Sequence, residues 1–233
     1  MNETIFTNAT KTGDIVTKLP AASKVFKEYK IDFCCGGDRP IGEVLQEKNL
    51  NEAEIITRLN ELYVSSNRID DVNWEEAPLA QLVDHIVNKY HVYTSEVLTE
   101  LNAFVTKVYR VHGDSHPHLR DVFQTFSKLK SEMEQHLIDE ERDVFPHVVA
   151  YEEKSSKAEL DKAIDEINKL ETEHEAVGDL LKTLREVTSD YQLPPGACNT
   201  YTLTYLKLEE FETMTHEHVH LENNILFKRL MSA

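Results

Sequence analysis

The sequence predicts an all-α protein, an up-down four-helix bundle preceded by a small N-terminal domain of short helices. Three observations carry this expectation. Only 7 Gly and 7 Pro occur in 233 residues, of which 29% are charged, so the chain has few of the breakers that a strand-and-turn fold needs. Apolar residues recur at helical spacing over four long stretches, at about 78–110, 119–151, 157–189 and 199–230. The breaks between them are turn-forming: His112-Gly113-Asp114-Ser115-His116-Pro117, then Pro146 near a helix end, then Leu193-Pro194-Pro195-Gly196. Long helices with short connections pack antiparallel to their neighbours.

The elements before the bundle are shorter. Pro20 opens one helix carrying Val25, Phe26 and Tyr29, and Pro40 opens a second with Ile41, Val44 and Leu45. Asn51-Glu-Ala-Glu54 has the form of a capping box before a third, with Ile55, Leu59 and Leu62. A polar, aperiodic stretch then runs to Ala77, and Pro78 starts the first long helix. The expected division is a small helical domain at 1–65, a linker at 66–77 and the bundle at 78–233. A domain as small as the first has a marginal core of its own.

Composition narrows the function. A net charge of −17 argues against nucleic acid or an anionic membrane surface as partner. No apolar run approaches the ~20 residues that span a bilayer, and Met1 to Thr12 lack the basic-then-apolar pattern of a signal peptide. Three cysteines, two of them adjacent, make a poor disulfide framework and suit a reducing compartment, so a cytoplasmic protein is expected.

The chemistry centres on His136-Leu-Ile-Asp-Glu140 and His218-Val-His-Leu-Glu222. A His and a Glu four apart lie on one helix face, one turn above the other. With 42 acidic residues and 11 histidines such pairs arise by chance, so their position matters more than their number. Taking ~100° per residue, Phe211, Met214, His218, Leu221, Glu222 and Ile225 share one face of the last helix. His174 sits in the stripe Ile167, Leu170, Val177 and Leu181, and His136 and Glu140 share a face with Leu129 and Met133. On the first long helix His85 lies off the stripe and is expected at the surface, while His91 on its border is the better inward candidate.

Four imidazoles and two carboxylates from His91, His136, Glu140, His174, His218 and Glu222 form a set that two metal ions could share, each Glu bridging the pair. Buried carboxylates would be costly without such a partner. Nitrogen and oxygen donors without thiolate suit iron or manganese better than zinc. Glu132 and Glu173 read either as acceptors for ligand N–H groups or as ordinary edge charges. His216 and His220 fall on the face opposite His218 and are expected in solvent. His112, His116 and His118 cluster at a turn, where a structural role is expected, and Cys198 reads as packing. Cys34 and Cys35 have two readings: small apolar side chains in a tight turn with Gly36 and Gly37, or a thiol pair near the N-terminus of the helix that Pro40 opens.

Residues Tyr29-Lys-Ile-Asp-Phe-Cys-Cys-Gly-Gly37, Asp84-His85, Tyr90-His91, His136-x-x-x-Glu140-Glu141, Phe145-Pro146, Glu173-His174-Glu175 and His218-x-x-Leu-Glu-Asn-Asn224 occur in that order. The bundle resembles hemerythrin-like domains, which hold a non-heme di-iron centre. Over about residues 12–231 the chain resembles the bacterial iron–sulfur cluster repair di-iron proteins of the ScdA type. The resemblance implies two iron ions, carboxylate- and oxo-bridged, on the six residues above, with Cys34 and Cys35 matching the family's N-terminal pair. It further implies a cytoplasmic, often homodimeric stress-response protein that restores iron–sulfur proteins damaged by nitric oxide or oxidants. Iron donation from a labile centre leads. Reduction of nitric oxide or peroxide, or reversible sensing of O2 or NO, stay open beside it.

Overall fold

The computed structural model describes residues 5–66 and 72–233. It is helical, and among the described residues the nearest thing to a strand pair is a lone antiparallel bridge between Lys11 and Pro40. The expected linker at 66–77 falls partly on residues 67–71, and the expected small domain begins on residues 1–4; both stretches lie outside the described residues. No helix among the described residues is long and apolar enough to cross a membrane.

The chain groups into two units, residues 1–78 with 219–233, and residues 79–218. The first contains α1 (Thr12–Lys18), α2 (Ala22–Glu28), α3 (Ile41–Glu47) and α4 (Glu52–Ser65). Pro40 stands directly before α3, where its missing N–H costs no hydrogen bond. Asn51 caps α4: its Oδ1 accepts from the Glu54 N–H at 3.3 Å, and its amide donates back to the Glu54 carboxylate at 3.2 Å. Helix α1 escaped the sequence reading, because its apolar residues Ile15 and Val16 are adjacent and show no period over seven residues.

The second unit holds four antiparallel rods. The first runs from α5 (Leu79–His85) through a π-helical turn (Ile86–His91) into α6 (Val92–His112). The second joins α7 (Leu119–Asp139), a π turn (Glu140–Val144) and α8 (Phe145–Lys154). The third is α9 (Lys157–Val187), and the fourth begins as α10 (Asn199–Leu221). Glu152 caps the first rod, accepting from the N–H groups of Leu79 and Ala80 at 2.6 and 2.8 Å. Pro146, expected near the end of the stretch 119–151, lies inside the rod, which runs on to Lys154. The wide π turn just before Phe145 resets the hydrogen-bond ladder, so Pro146 falls in the first turn of α8, where a missing N–H is tolerated. The bundle core includes Leu98, Leu101, Phe126, Leu129, Leu181, Leu184, Tyr205 and Phe211.

Beyond Leu221 the last rod passes through a π turn (Glu222–Leu226) into α11 (Phe227–Met231). Val219 joins the apolar core of the first unit, with Phe26, Phe33 and Cys34. Here the structure corrects one expectation. His216 is half-buried, but His220 is only 4% exposed and not in solvent. Its ring meets Phe33 edge-on at 5.7 Å, and its Nδ1 and Nε2 lie 3.4 Å from the Phe33 carbonyl and 3.3 Å from Thr17 Oγ1. Sequence periodicity treated the last helix as part of the bundle throughout, whereas from Val219 onward the chain belongs to the first unit, where Phe33 and Thr17 enclose His220.

Asn224 ties this segment to the Cys-Cys-Gly-Gly turn. Its amide donates to the carbonyls of Phe33 and Cys34 at 3.2 and 2.9 Å. Gly13 and Gly37 both lie so close that a Cβ on either would overlap Asn224 Oδ1. Gly37→Ala is therefore expected to destabilise the protein by about 1–3 kcal/mol, read as a shift in urea midpoint.

His220 gives a second expectation. Burial, aided by Lys228, pushes its pKa down to about 4. Below about pH 6.5 the unfolded chain takes up a proton that the folded chain refuses, so stability falls as pH drops from about 6.5 to about 4 and then levels. Urea titrations of metal-free protein should lose up to about 3 kcal/mol over that window. His220→Gln should lack this part of the slope.

Candidate metal centre

Each candidate ligand within residues 79–218 sits where a helix turns it inward, and π turns adjoin two of them. His91 ends the π turn Ile86–His91, and Glu140 begins the π turn Glu140–Val144. An extra residue in a helical turn rotates the following side chains by roughly 100°, which changes the face presented to the core. Glu222, one turn beyond His218, likewise begins a π turn. All six candidates, His91, His136, Glu140, His174, His218 and Glu222, are 0–2% exposed.

Two groups form around one carboxylate. His91, Glu140 and His218 place ligand atoms within 4.8 Å of one another, and so do His136, Glu140 and His174. Glu140 Oε2 lies 3.4 Å from His91 Nε2, 3.3 Å from His136 Nε2 and 4.0 Å from His218 Nε2. Within the groups, His91 Nε2 and His218 Nε2 are 3.1 Å apart, and His136 Nε2 and His174 Nε2 are 3.0 Å apart.

The outer nitrogens decide the protonation of two rings. His91 Nδ1–H donates to Glu141 Oε1 at 2.8 Å, and His136 Nδ1–H donates to Glu173 Oε2 at 2.9 Å. A carboxylate only accepts, so in the neutral imidazole the proton sits on Nδ1 and the Nε2 lone pair faces the interior. The His136 hydrogen bond, helped by Lys169 at 3.6 Å, holds Glu173 below the usual carboxylate range. Neither oxygen of Glu140 accepts a hydrogen bond, although the residue is completely buried. An ionised carboxylate so placed is costly unless a cation meets it. The donor set therefore fits metal: inward lone pairs, a buried carboxylate between two imidazole pairs, and carboxylates fixing the rings from outside.

Of the remaining expectations, His85 is half-buried and its ring meets Tyr90 edge-on at 5.8 Å, apart from both groups. Tyr90 stacks on His218 with ring centroids 5.7 Å apart, and burial, with Glu217 nearby, raises its phenol well above the ordinary range. It walls the site as a neutral ring. Glu132 is exposed. Glu141 had no place in the sequence reading as an acceptor for His91, although its position beside Glu140 was a signal.

In the first unit Asp32 organises the cysteine turn. Oδ1 accepts from the N–H groups of Cys34 and Cys35 at 3.0 and 3.1 Å and from the Cys34 thiol at 3.3 Å, while Oδ2 accepts from the Gly36 N–H at 2.9 Å. The two sulfurs are 3.8 Å apart. The neighbouring Cys35 thiol, burial and the Asp32 charge push Cys34 well above an ordinary thiol. Of the two readings for the pair, a thiolate at a helix N-terminus is thus not what Cys34 adopts.

Residues 82–230 match the hemerythrin HHE cation binding domain, and residues 8–63 match ScdA_N, a domain of unknown function. The chain is 36% identical over 226 residues to the iron-sulfur cluster repair protein ScdA of Staphylococcus haemolyticus, covering 97% of this chain and 99% of that one. It is 34% identical to a probable iron-sulfur cluster repair protein of Haemophilus influenzae, covering 95% and 96%. It is 33% identical to the iron-sulfur cluster repair protein YtfE of Yersinia pseudotuberculosis, covering 94% and 95%.

If Glu173 orients His136 for a metal, Glu173→Ala should weaken metal affinity about 10–100-fold, as loss of an outer hydrogen-bond partner does. Chelator competition on the folded variant reads this directly, and unchanged affinity would remove Glu173 from the site.

Proposed function

We propose, for a chain that belongs to the iron–sulfur cluster repair proteins with a hemerythrin-type cation-binding domain, that His91, His136, Glu140, His174, His218 and Glu222 hold two non-heme iron ions. The buried Glu140 carboxylate, set between two imidazole pairs with no hydrogen bond to either oxygen, carries this reading. His91 with His218 and His136 with His174 supply two nitrogens per ion, and Glu140 reaches both pairs. Glu222 is the second carboxylate, on its complete burial and its register one turn beyond His218. Oxygen and nitrogen donors select iron or manganese over the thiophilic metals.

The protein, on this reading, repairs iron–sulfur proteins damaged by nitrosative or oxidative stress and does so by giving up iron. Bound iron supplies an exchangeable ion of the kind a damaged cluster has lost. The chain's own residues govern how firmly it is held. Glu141 and Glu173 keep Nδ1 protonated and so keep the Nε2 lone pairs of His91 and His136 available for metal. Their exposures differ, 49% for the Glu141 side chain and 27% for Glu173. Water competes more strongly for the His91 Nδ1–H, so the His91 side is the looser half of the centre. Metal and protons would compete for the same Nε2 lone pairs, so acid would favour release of a bound ion. Damaged iron–sulfur proteins are the partners, NO and O2 the small ligands, and a cytoplasmic homodimer the expected form.

Glu140→Leu keeps the volume and removes the shared carboxylate. Anaerobically purified wild-type chain should carry about two irons and the variant less than one. The variant should also fail to restore a nitric-oxide-inactivated iron–sulfur dehydratase. Full restoration by folded, iron-poor Glu140→Leu would refute iron donation.

A further inference from the structure

We propose that His112, His116 and Cys198 form a second metal site, for a thiophilic divalent ion such as zinc. Taken singly, these residues suggested turn structure and packing. The structure brings Cys198 against His112 and sets His116 beside them. Cys198, immediately before α10, is exposed, so it does not serve as core packing. Its Sγ lies 3.3 Å from Nε2 of His112, the last residue of α6. A sulfur and a nitrogen on one tetrahedral zinc stand about 3.5 Å apart, given Zn–S near 2.3 Å and Zn–N near 2.0 Å.

His116 supplies the third donor. Its ring centroid is 6.3 Å from that of His112, against about 5 Å for two imidazoles on one tetrahedral ion. Closing that difference takes a side-chain rotation of His116, which sits in the exposed turn between α6 and α7. Tyr201 contacts both rings, at 5.6 Å from His112 and 5.8 Å from His116, and so gathers them on one side of α10. His118 is committed elsewhere: its Nε2 lies 3.0 Å from the Tyr205 hydroxyl and 3.1 Å from the Tyr201 hydroxyl. Those contacts pin the first turns of α10 to the turn that carries His116. Cys198 and His112 therefore meet from two elements far apart in sequence, with His116 one ring further along the face of Tyr201.

One thiolate and two imidazoles make a softer donor set than the His and Glu groups of the core, and the two sets select different metals. Along the 21 residues of α6 the proposed site is about 30 Å from His91. Binding breaks the Cys198 S–H bond and forms a metal–sulfur bond, and the proton leaves to solvent. Water completes the coordination. The ion would clasp the end of α6 to the start of α10.

The test uses the full iron-loaded chain, one equivalent of zinc and a thiol alkylating reagent, with the cysteines followed separately by peptide mass spectrometry. Zinc should slow alkylation of Cys198 at least tenfold while bound iron stays constant. The protection should disappear in His112→Ala and in His116→Ala, both at the partly exposed end of the bundle. Unchanged alkylation with zinc, protection that survives both substitutions, or zinc that displaces iron and leaves Cys198 reactive would each overturn the proposal.

Discussion

A buried carboxylate has to find positive charge or many hydrogen bonds, and Glu140 has no hydrogen bond to either oxygen. Much of the bundle can be read as an answer to that constraint. Four rods bring imidazoles to the Glu140 carboxylate, each ring needing the correct face of its helix. A regular α-helix fixes which residues share that face, and a π turn shifts the phase for the residues that follow. The π turns meet the chain at His91 and Glu140, so the irregularities coincide with the proposed ligands. The same turn allows Phe145 and Pro146 to follow within two turns, and Phe145 contacts the His91 ring at 5.5 Å. Buried carboxylate, wide helical turn and proline thus form one solution.

The last helix serves two cores. His218 faces the bundle interior, whereas Val219 and His220 belong to the core and polar contacts of the first unit. Asn224 continues that role by closing the carbonyls around Phe33 and Cys34. A helix that passes from one unit into the other cannot show one clean apolar stripe along its whole length. Its polar residues become buried, and their hydrogen bonds take the place of apolar contact. The tight fit of Gly13 and Gly37 against Asn224 belongs to the same arrangement, since a backbone can approach an amide closely only where no Cβ intervenes.

The long elements were legible in the sequence because their periodicity extends over many turns. The observed α9 and the ends of the other rods fall within a few residues of the expected limits. Helix α1 was not legible, since seven residues give too short a window for a period to emerge. His136 and Glu140 could be read from one helix face, as could His218 with Glu222, because i and i+4 stacking is local. What the chain could not reveal was partner choice across helices. Glu141 as the acceptor for His91, His220 against Phe33, and Cys198 beside His112 all depend on which helix packs where. Glu132 and Glu173 were equivalent in sequence, and only the packing of α7 on α9 distinguishes the exposed residue from the acceptor.

The cysteine turn shows why donor type must be weighed along with donor position. Asp32 binds three backbone N–H groups and the Cys34 thiol, so its charge is satisfied while the thiol keeps its proton. A thiol that holds its proton is a weak metal ligand, because coordination requires the thiolate. Among the described residues neither His and Glu group contains a cysteine. Cys34 is thereby removed from competition for an ion that imidazole and carboxylate are suited to bind. Asp32 would oppose oxidation at Cys34 for the same reason, since the attacking species in thiol–disulfide exchange is also the thiolate. The adjacent Cys35 is half-buried and lies 3.8 Å away, so accessibility assigns first attack in any chemistry of the pair to Cys35. The carboxylate that shapes the turn thus also sets the order in which its two sulfurs can react.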